Sequence, residues 1–317
     1  MTQPTSVNMT FDTSLVDVSQ LDPQTPILNQ GEISQTTPKP SQATITGQAF
    51  QSSTPVQHIP TQEAYDQWAH VYDTDGNMLQ SIDDSELNDL LPSLLGRVCS
   101  SHDNTNMALN LLDLGCGTGR NTSKLLSYSW PSSRNNARIN IIGLDFSKGM
   151  LDVAAHKLTS MTRDAEKVIL RLEEADCFPT VHNPSTSPKP NVANLPPIDG
   201  LISTLVLEHI PLRDFFATLA ALVTKGGFAL VTNMHNEMGN MSQAGFVNAE
   251  GVKVRGDSYV YSVEETIDEA RRAGFEVVNV KERSVEENDM RNGVVGERGW
   301  KWVGIRVWYG VILKKTA

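Results

Sequence analysis

The segment Leu111-Leu112-Asp113-Leu114-Gly115-Cys116-Gly117-Thr118-Gly119-Arg120-Asn121 constrains this chain more than any other. An apolar run ends in glycines at alternate positions, and a helix-compatible stretch follows. Alternate glycines let the backbone turn sharply and let a ligand approach without a Cβ in the way. Strand, glycine turn and helix together open a βα unit whose ligand edge lies at the carboxyl end of the strand. Dinucleotide enzymes favour GxGxxG or GxGxxA. Here the third small residue comes one place early, and Arg120 stands where close helix packing wants Gly or Ala, which argues against a hydride-transfer reading.

Around this motif the hydrophobic pattern repeats. Runs at Ala108-Leu114, Asn140-Leu144, Ile169-Glu173, Gly200-Leu205 and Phe228-Thr232 read as strands, nearly all separated by a plausible helix. A βα repeat of this kind predicts an α/β fold with a mostly parallel, doubly wound sheet. The chain closes with a helix from about Val263 to Arg272, a strand at Phe275-Arg283, and an apolar run at Trp300-Lys314 that predicts a last strand covered on both faces. Upstream, Tyr65, Trp68 and Tyr72 recur at helical spacing and Leu87, Leu90, Leu91, Leu94 and Leu95 follow.

Two insertions follow strand ends. Proline density over residues 179–197 forbids a regular helix, and residues 236–258 carry the alternation of a short hairpin around Ala249-Glu250-Gly251. Each reads either as a wall of a substrate pocket or as a tolerated surface loop. Residues 1–60 are rich in Ser, Thr, Gln and Pro, have Lys39 as their one basic residue and lack Trp and Tyr, so a disordered tail is expected, with the folded domain spanning 61–317.

With 26 Lys+Arg against 37 Asp+Glu, the net charge of -11 opposes a general attraction to nucleic acid or anionic lipid. Cys99, Cys116 and Cys177 show no CxxC pairing, so neither a disulfide framework nor a zinc cage is expected. No apolar run is long enough to span a bilayer and no secretory signal is evident, so a cytoplasmic location is expected. A small-molecule partner fits this balance best; the oligomeric state stays open.

Two carboxylates follow strands. In Gly143-Leu144-Asp145-Phe146-Ser147, Asp145 sits where a strand meets a helix and suits both hydroxyls of a bound ribose; the alternative is a helix-capping Asp. In Ala175-Asp176-Cys177-Phe178, Asp176 suits an adenine amine and Phe178 its ring. At this point the chain resembles class I S-adenosylmethionine-dependent methyltransferases, through AYDQWAHVYD, LLDLGCGTGR, GLDFSKGMLDVA, EADCF, DGLISTLVLEHI, LVTKGGFALVTNMH and YSVEETIDEARRAGFEVV. The resemblance spans roughly Ala64 to Lys314, and its texture is nearest to fungal secondary-metabolite enzymes similar to glandicoline B O-methyltransferase.

The resemblance implies a seven-stranded Rossmann-like sheet with the last strand antiparallel, and S-adenosyl-L-methionine as cofactor. It implies that Gly115, Cys116, Gly117, Gly119 and Asn121 surround the methionine portion and that Asp145 binds the ribose. By the same resemblance Phe146 and Met150 sandwich the adenine, Asp176 and Cys177 edge it, Leu205 lies beneath the sulfonium, and Tyr65 and Tyr72 are candidates for a helical lid over residues 61–100; the alternative is that Tyr65, Trp68 and Tyr72 are the packed face of a helix. The Pro-rich loop at 179–197 departs from the compact family pattern.

Methyl transfer needs alignment and desolvation of the acceptor, and a base if the acceptor is a hydroxyl. His209 in Leu207-Glu208-His209-Ile210 is the first candidate and His235 the second; the alternative for His209 is a histidine that caps the next helix. Glu208 reads as a group orienting His209 or as a metal ligand, and since further ligands are lacking no metal is expected. Three readings follow: a small-molecule O-methyltransferase, an N-methyltransferase of a similar metabolite, and a non-catalytic cofactor-binding partner.

Overall fold

Each apolar run read as a strand enters a single sheet. The computed structural model describes residues 10–11, 56–101, 108–131, 137–161, 167–242, 245–248 and 251–317. Among them β1 (Leu109–Leu114), β2 (Ile139–Asp145), β3 (Val168–Glu174), β4 (Ile198–Thr204), β5 (Val223–Met234), β6 (Phe275–Ser284) and β7 (Arg306–Lys315) pair in the order β6-β7-β5-β4-β1-β2-β3. The pairings β3-β2, β2-β1, β1-β4 and β4-β5 are parallel, and β7 runs antiparallel to both β5 and β6. The doubly wound, mostly parallel sheet with its last strand reversed is therefore as expected.

Strand periodicity sorts the core onto the two faces of the sheet. Leu109, Leu111, Ile139 and Ile141 pack on one face with the leucines of a long helix, α2 (Met78–Ser101). Leu112, Leu114, Ile142 and Leu144 pack on the other with Phe215, Phe216 and Leu219 of α5 (Leu212–Leu222) and Ala270 of α6 (Val263–Arg272). Successive side chains of a strand point to opposite faces, so each apolar strand feeds both layers. α3 (Arg120–Leu126) and α4 (Lys148–Leu158) start immediately after β1 and β2, and α1 (Thr61–Trp68) lies over the start of α4.

Several boundaries differ from the sequence reading. β7 begins at Arg306 rather than Trp300, because Glu297–Trp302 forms a 3-10 helix and Gly304 takes a positive φ of 85° before the strand starts. From Val307 to Leu313 every residue is buried, so the expectation of a strand covered on both faces holds for that stretch. The Pro-rich insertion contributes one helical turn, Pro179–His182, and otherwise runs as a loop in place of a crossover helix. Arg171 of β3 donates to the carbonyl of Ala193, and Thr218 of α5 donates to that of Pro188, which pins this loop at two places.

The second insertion forms the expected hairpin, Phe246–Val247 antiparallel to Lys253–Arg255, although Ala249 and Glu250 at its tip lie outside the described residues. The expected tail lies outside them for residues 1–9 and 12–55. Where it is described, Val56–His58 adds to the hairpin parallel to Lys253–Arg255, and Thr10–Phe11 pairs antiparallel with Phe246–Val247. This small sheet packs on α1 through Phe246 and Val254 against Ala64 and Trp68, with the Trp68 and Phe246 rings stacked at 5.2 Å.

Candidate active site

Strand order reverses at β1, whose neighbours β4 and β2 lead away in opposite directions, and a pocket opens at the carboxyl ends of β1, β2, β3 and β4. This is where open α/β sheets bind ligands. Its first wall is the turn after β1. The backbone N–H groups of Gly115 and Cys116 both donate to the Leu144 carbonyl, which holds the turn against the end of β2.

Gly117 and Gly119, two residues apart, do different work. Both have positive φ, 52° and 75°. Gly117 lines the pocket, and a Cβ there would meet no protein atom within 4 Å, so it would project into ligand space. A Cβ on Gly119 would come within 2.9 Å of Leu158 Cδ1 and 3.1 Å of Ala154 Cβ in α4, which makes Gly119 a packing glycine outside the pocket lining. Cys116 is likewise buried away from the pocket, against Gly143. Asn121 reaches the site through another residue: its Nδ2 donates to Thr204 Oγ1 at 2.7 Å, and it is Thr204 that lines the wall. Cys116, Gly119 and Asn121, which the resemblance places around the methionine portion, thus lie behind the pocket lining.

Asp145 closes β2 with its carboxylate in the pocket wall, accepting from Gly117 N at 2.7 Å and from Ser147 N at 2.9 Å. Burial pushes this carboxyl up to about 6. The capping alternative is excluded, since Ser147 caps α4 by accepting from Met150 N. Phe146, Met150, Asp176, Cys177 and Phe178 continue the lining, joined by Val181 and His182 of the Pro-rich insertion, which sequence reasoning left unspecified. Asp176 Oδ1 accepts from Phe178 N at 3.0 Å, an Asx-type turn that fixes the carboxylate at the rim. A glycine open to ligand space beside a buried carboxylate with spare lone pairs, flanked by Phe146 and Met150, fits a nucleoside with an amino-acid tail.

The opposite wall comes from Leu205, Val206, His209 and Ile210 after β4, Pro60, Thr61, Gln62 and Tyr65 at the start of α1, and Tyr72 and Asp257. Leu205 adopts a positive φ of 56°, which is costly for a branched side chain, and its N–H is held by the Thr232 carbonyl. His209 lies in the 3-10 turn Leu207–His209 with both ring nitrogens engaged: Nδ1 is 2.7 Å from the Asp257 carbonyl oxygen, and Nε2 is 2.8 Å from the Tyr65 hydroxyl. A carbonyl only accepts, so in the neutral ring Nδ1 carries the hydrogen and Nε2 accepts from Tyr65. Burial holds both the Tyr65 and the Tyr72 hydroxyl well above the usual tyrosine range, so Tyr65 stays a proton donor.

His235, the second candidate base, lies outside the pocket lining with both ring nitrogens engaged. It caps the short helix Asn236–Gly239, accepting from Glu237 N at 3.1 Å through Nδ1, while Nε2 lies 2.9 Å from Glu282 Oε2. It is absent from the pocket lining, because β5 runs two residues beyond the apolar run seen in sequence and carries His235 past the cleft. Gln62, Asp66 and Asp257 were missed, since polar residues in a loop or on a short helix carry no local signal of what they face.

A family model described as "Methyltransferase domain" matches residues 112–229, from β1 to β5. An uncharacterized methyltransferase of Emericella nidulans is 43% identical over 280 residues, which cover 81% of this chain and 91% of that protein. Among solved structures, the chain is similar to magnesium protoporphyrin IX methyltransferase from Synechocystis PCC 6803 with bound S-adenosylhomocysteine, at 13% identity and TM-score 0.48 over 80% of this chain and 94% of that one. It is also similar to the [4+2]-cyclase SpnF, at 15% identity and TM-score 0.48 over 83% and 99% of the two chains. With the glycine turn, the family model matched from β1 to β5 and a relative matched along most of its length, the chain belongs to the class I S-adenosylmethionine-dependent methyltransferases.

Proposed function

We propose that this enzyme transfers the methyl group of S-adenosylmethionine to a hydroxyl of a small molecule, of the kind made in fungal secondary metabolism, with His209 as the base and Tyr65 as the proton relay. The observation that carries this reading is the hydrogen-bonded line from the Asp257 carbonyl through His209 to the Tyr65 hydroxyl, with both side chains in the pocket wall.

S-Adenosylmethionine supplies an activated methyl group, so the residues of the chain have to align the acceptor, exclude water and take its proton. Gly115, Gly117, Asp145, Phe146, Met150 and Asp176 hold the cofactor, and Leu205, Tyr65, Tyr72 and Ile210 form the acceptor side. Methyl transfer would leave S-adenosylhomocysteine as the departing group, and the acceptor proton would pass to Tyr65 Oη. The Tyr65 proton passes to His209 Nε2, while the Asp257 carbonyl keeps Nδ1–H in place. Among the described residues, Asp145, Asp176 and Asp257 line the pocket and no Lys or Arg does, which disfavours phosphate-bearing acceptors such as nucleic acid.

A screen of metabolite extracts with methyl-labelled cofactor identifies the acceptor. With it in hand, His209→Ala is expected to lower kcat by about 10²-fold or more while sparing affinity for S-adenosylhomocysteine. Undiminished turnover in that variant overturns the base assignment and makes a neutral amine the better acceptor.

A further inference from the structure

The turn that presents His209 also buries a carboxyl group that the reaction scheme has not used. Glu208 is 5% exposed; its N–H donates to Asn233 Oδ1 at 3.0 Å, and its carbonyl accepts from Tyr259 N. Among the described residues its Oε2 has no hydrogen-bond partner, and its Oε1 lies 3.8 Å from His209 Nε2, too far for a hydrogen bond and close enough for a strong charge–charge interaction. We propose that Glu208 is a positioning residue that supplies the counter-charge for His209, stabilising the imidazolium that forms as the acceptor loses its proton. The proposal rests on His209 as the base.

The surroundings leave Glu208 few other uses. The groups facing the pair are Tyr65 of α1, Tyr72 of the following turn, Asp257 beyond the hairpin, Asn233 of β5, Tyr309 of β7 and Asp145 across the pocket. None of these is a cation. Arg120, which acts on Tyr72, is committed to Asp83 and Asp84. Burial pushes the Glu208 carboxyl upward and His209 opposes that shift, as expected of two groups whose charges depend on each other. A buried carboxyl with an idle oxygen costs stability unless its charge is answered. A proton arriving on His209 Nε2 answers it.

The test needs no acceptor. His209 ring resonances are followed by NMR against pH in the full-length protein saturated with S-adenosylhomocysteine. In Glu208→Gln the His209 midpoint is expected to fall by at least about one pH unit, since an anion at this distance favours the charged ring. Glu208→Asp, which keeps the charge, is expected to restore most of the shift. In the unsubstituted protein the His209 resonances should show a second inflection as Glu208 titrates, a readout independent of whether a variant folds. An unchanged midpoint in Glu208→Gln, or a single inflection in the unsubstituted protein, overturns the proposal. Failure of the base assignment is read separately, as undiminished turnover in His209→Ala with the NMR coupling intact.

Discussion

At Asp145 two influences meet in one carboxylate. Backbone donors from Gly117 and Ser147 favour its charge, yet burial outweighs them and leaves the group at about 6. Ribose hydroxyls donate to the ionised form, so binding draws the group toward ionisation. Cofactor affinity should therefore be full above about pH 6 and fall as the pH drops through that value, as the free enzyme takes up a proton that the complex resists. Calorimetry with S-adenosylhomocysteine between pH 5 and 8 checks this, taking the window from about one unit below that midpoint to two above it. Asp145→Asn should weaken binding more than about tenfold at neutral pH, since each charge-assisted bond contributes roughly 1.5–3 kcal/mol, and should flatten the pH dependence. A pH slope surviving in that variant would place the titrating group elsewhere. The place of this residue was legible in sequence because an Asp closing a strand just before a helix has few positions to occupy.

At the level of elements, α1 is held to the rest of the domain by its own polar side chains. Asp66 Oδ1 accepts from Ser147 Oγ at 2.6 Å and from Gly149 N at 2.9 Å, and Gln62 Nε2 donates to the Phe146 carbonyl at 2.6 Å. These contacts clamp α1 to the N-terminus of α4, beside Phe146 and Met150 in the pocket wall. The same helix carries Tyr65 toward His209, so cofactor and acceptor sides share one support. An anionic group lost from a helix N-terminus typically costs roughly 0.5–2 kcal/mol. Asp66→Ala should accordingly raise the Kd for S-adenosylhomocysteine by about 3- to 30-fold, most of it in a faster dissociation rate seen by stopped flow. Loss confined to thermal stability, with both constants unchanged, would make the clamp purely structural. The strand Val56–His58 is tied to the same region, through its ladder with Lys253–Arg255 and the bond from Ile59 N to the Arg255 carbonyl.

Across the whole molecule, a buried ion pair joins the layers. Asp83 of α2 is fully buried and accepts from Arg120 at 2.6 Å, Thr232 Oγ1 at 2.7 Å and Trp308 Nε1 at 2.8 Å, linking α2, α3, β5 and β7. Arg120, which stands where a dinucleotide turn has Gly or Ala, is thus occupied in fixing α2 over the sheet beside the glycine turn. Removing one partner leaves an uncompensated buried charge, so Arg120→Met should cost about 3–5 kcal/mol in urea unfolding. The pair Asp83→Asn with Arg120→Met should cost much less than the sum of the single changes. Additive losses would show that the two side chains do not depend on each other.

Local signals carried the fold and the residues that line the pocket at the ends of β1 and β2. Alternating apolar runs identify strands within a few residues, glycines at alternate positions force the turn after β1, and Asp145 follows from its place at the end of β2. What sequence left open depended on partners far along the chain. His209 and His235 both follow parallel neighbouring strands, and sequence ranks them without showing what either faces; only the fold sends one toward Tyr65, 144 positions away, and the other toward Glu282. Val56–His58 is too short to show a period, and it becomes a strand only because the hairpin at 246–255 offers an edge. Glycines 117 and 119 share one motif and one backbone conformation, yet α4 packs against the second and leaves the first open to ligand. Periodicity and turn chemistry are set by neighbours in sequence, whereas side-chain direction and strand edges are set by whichever element packs alongside, and only the tertiary structure decides which that is.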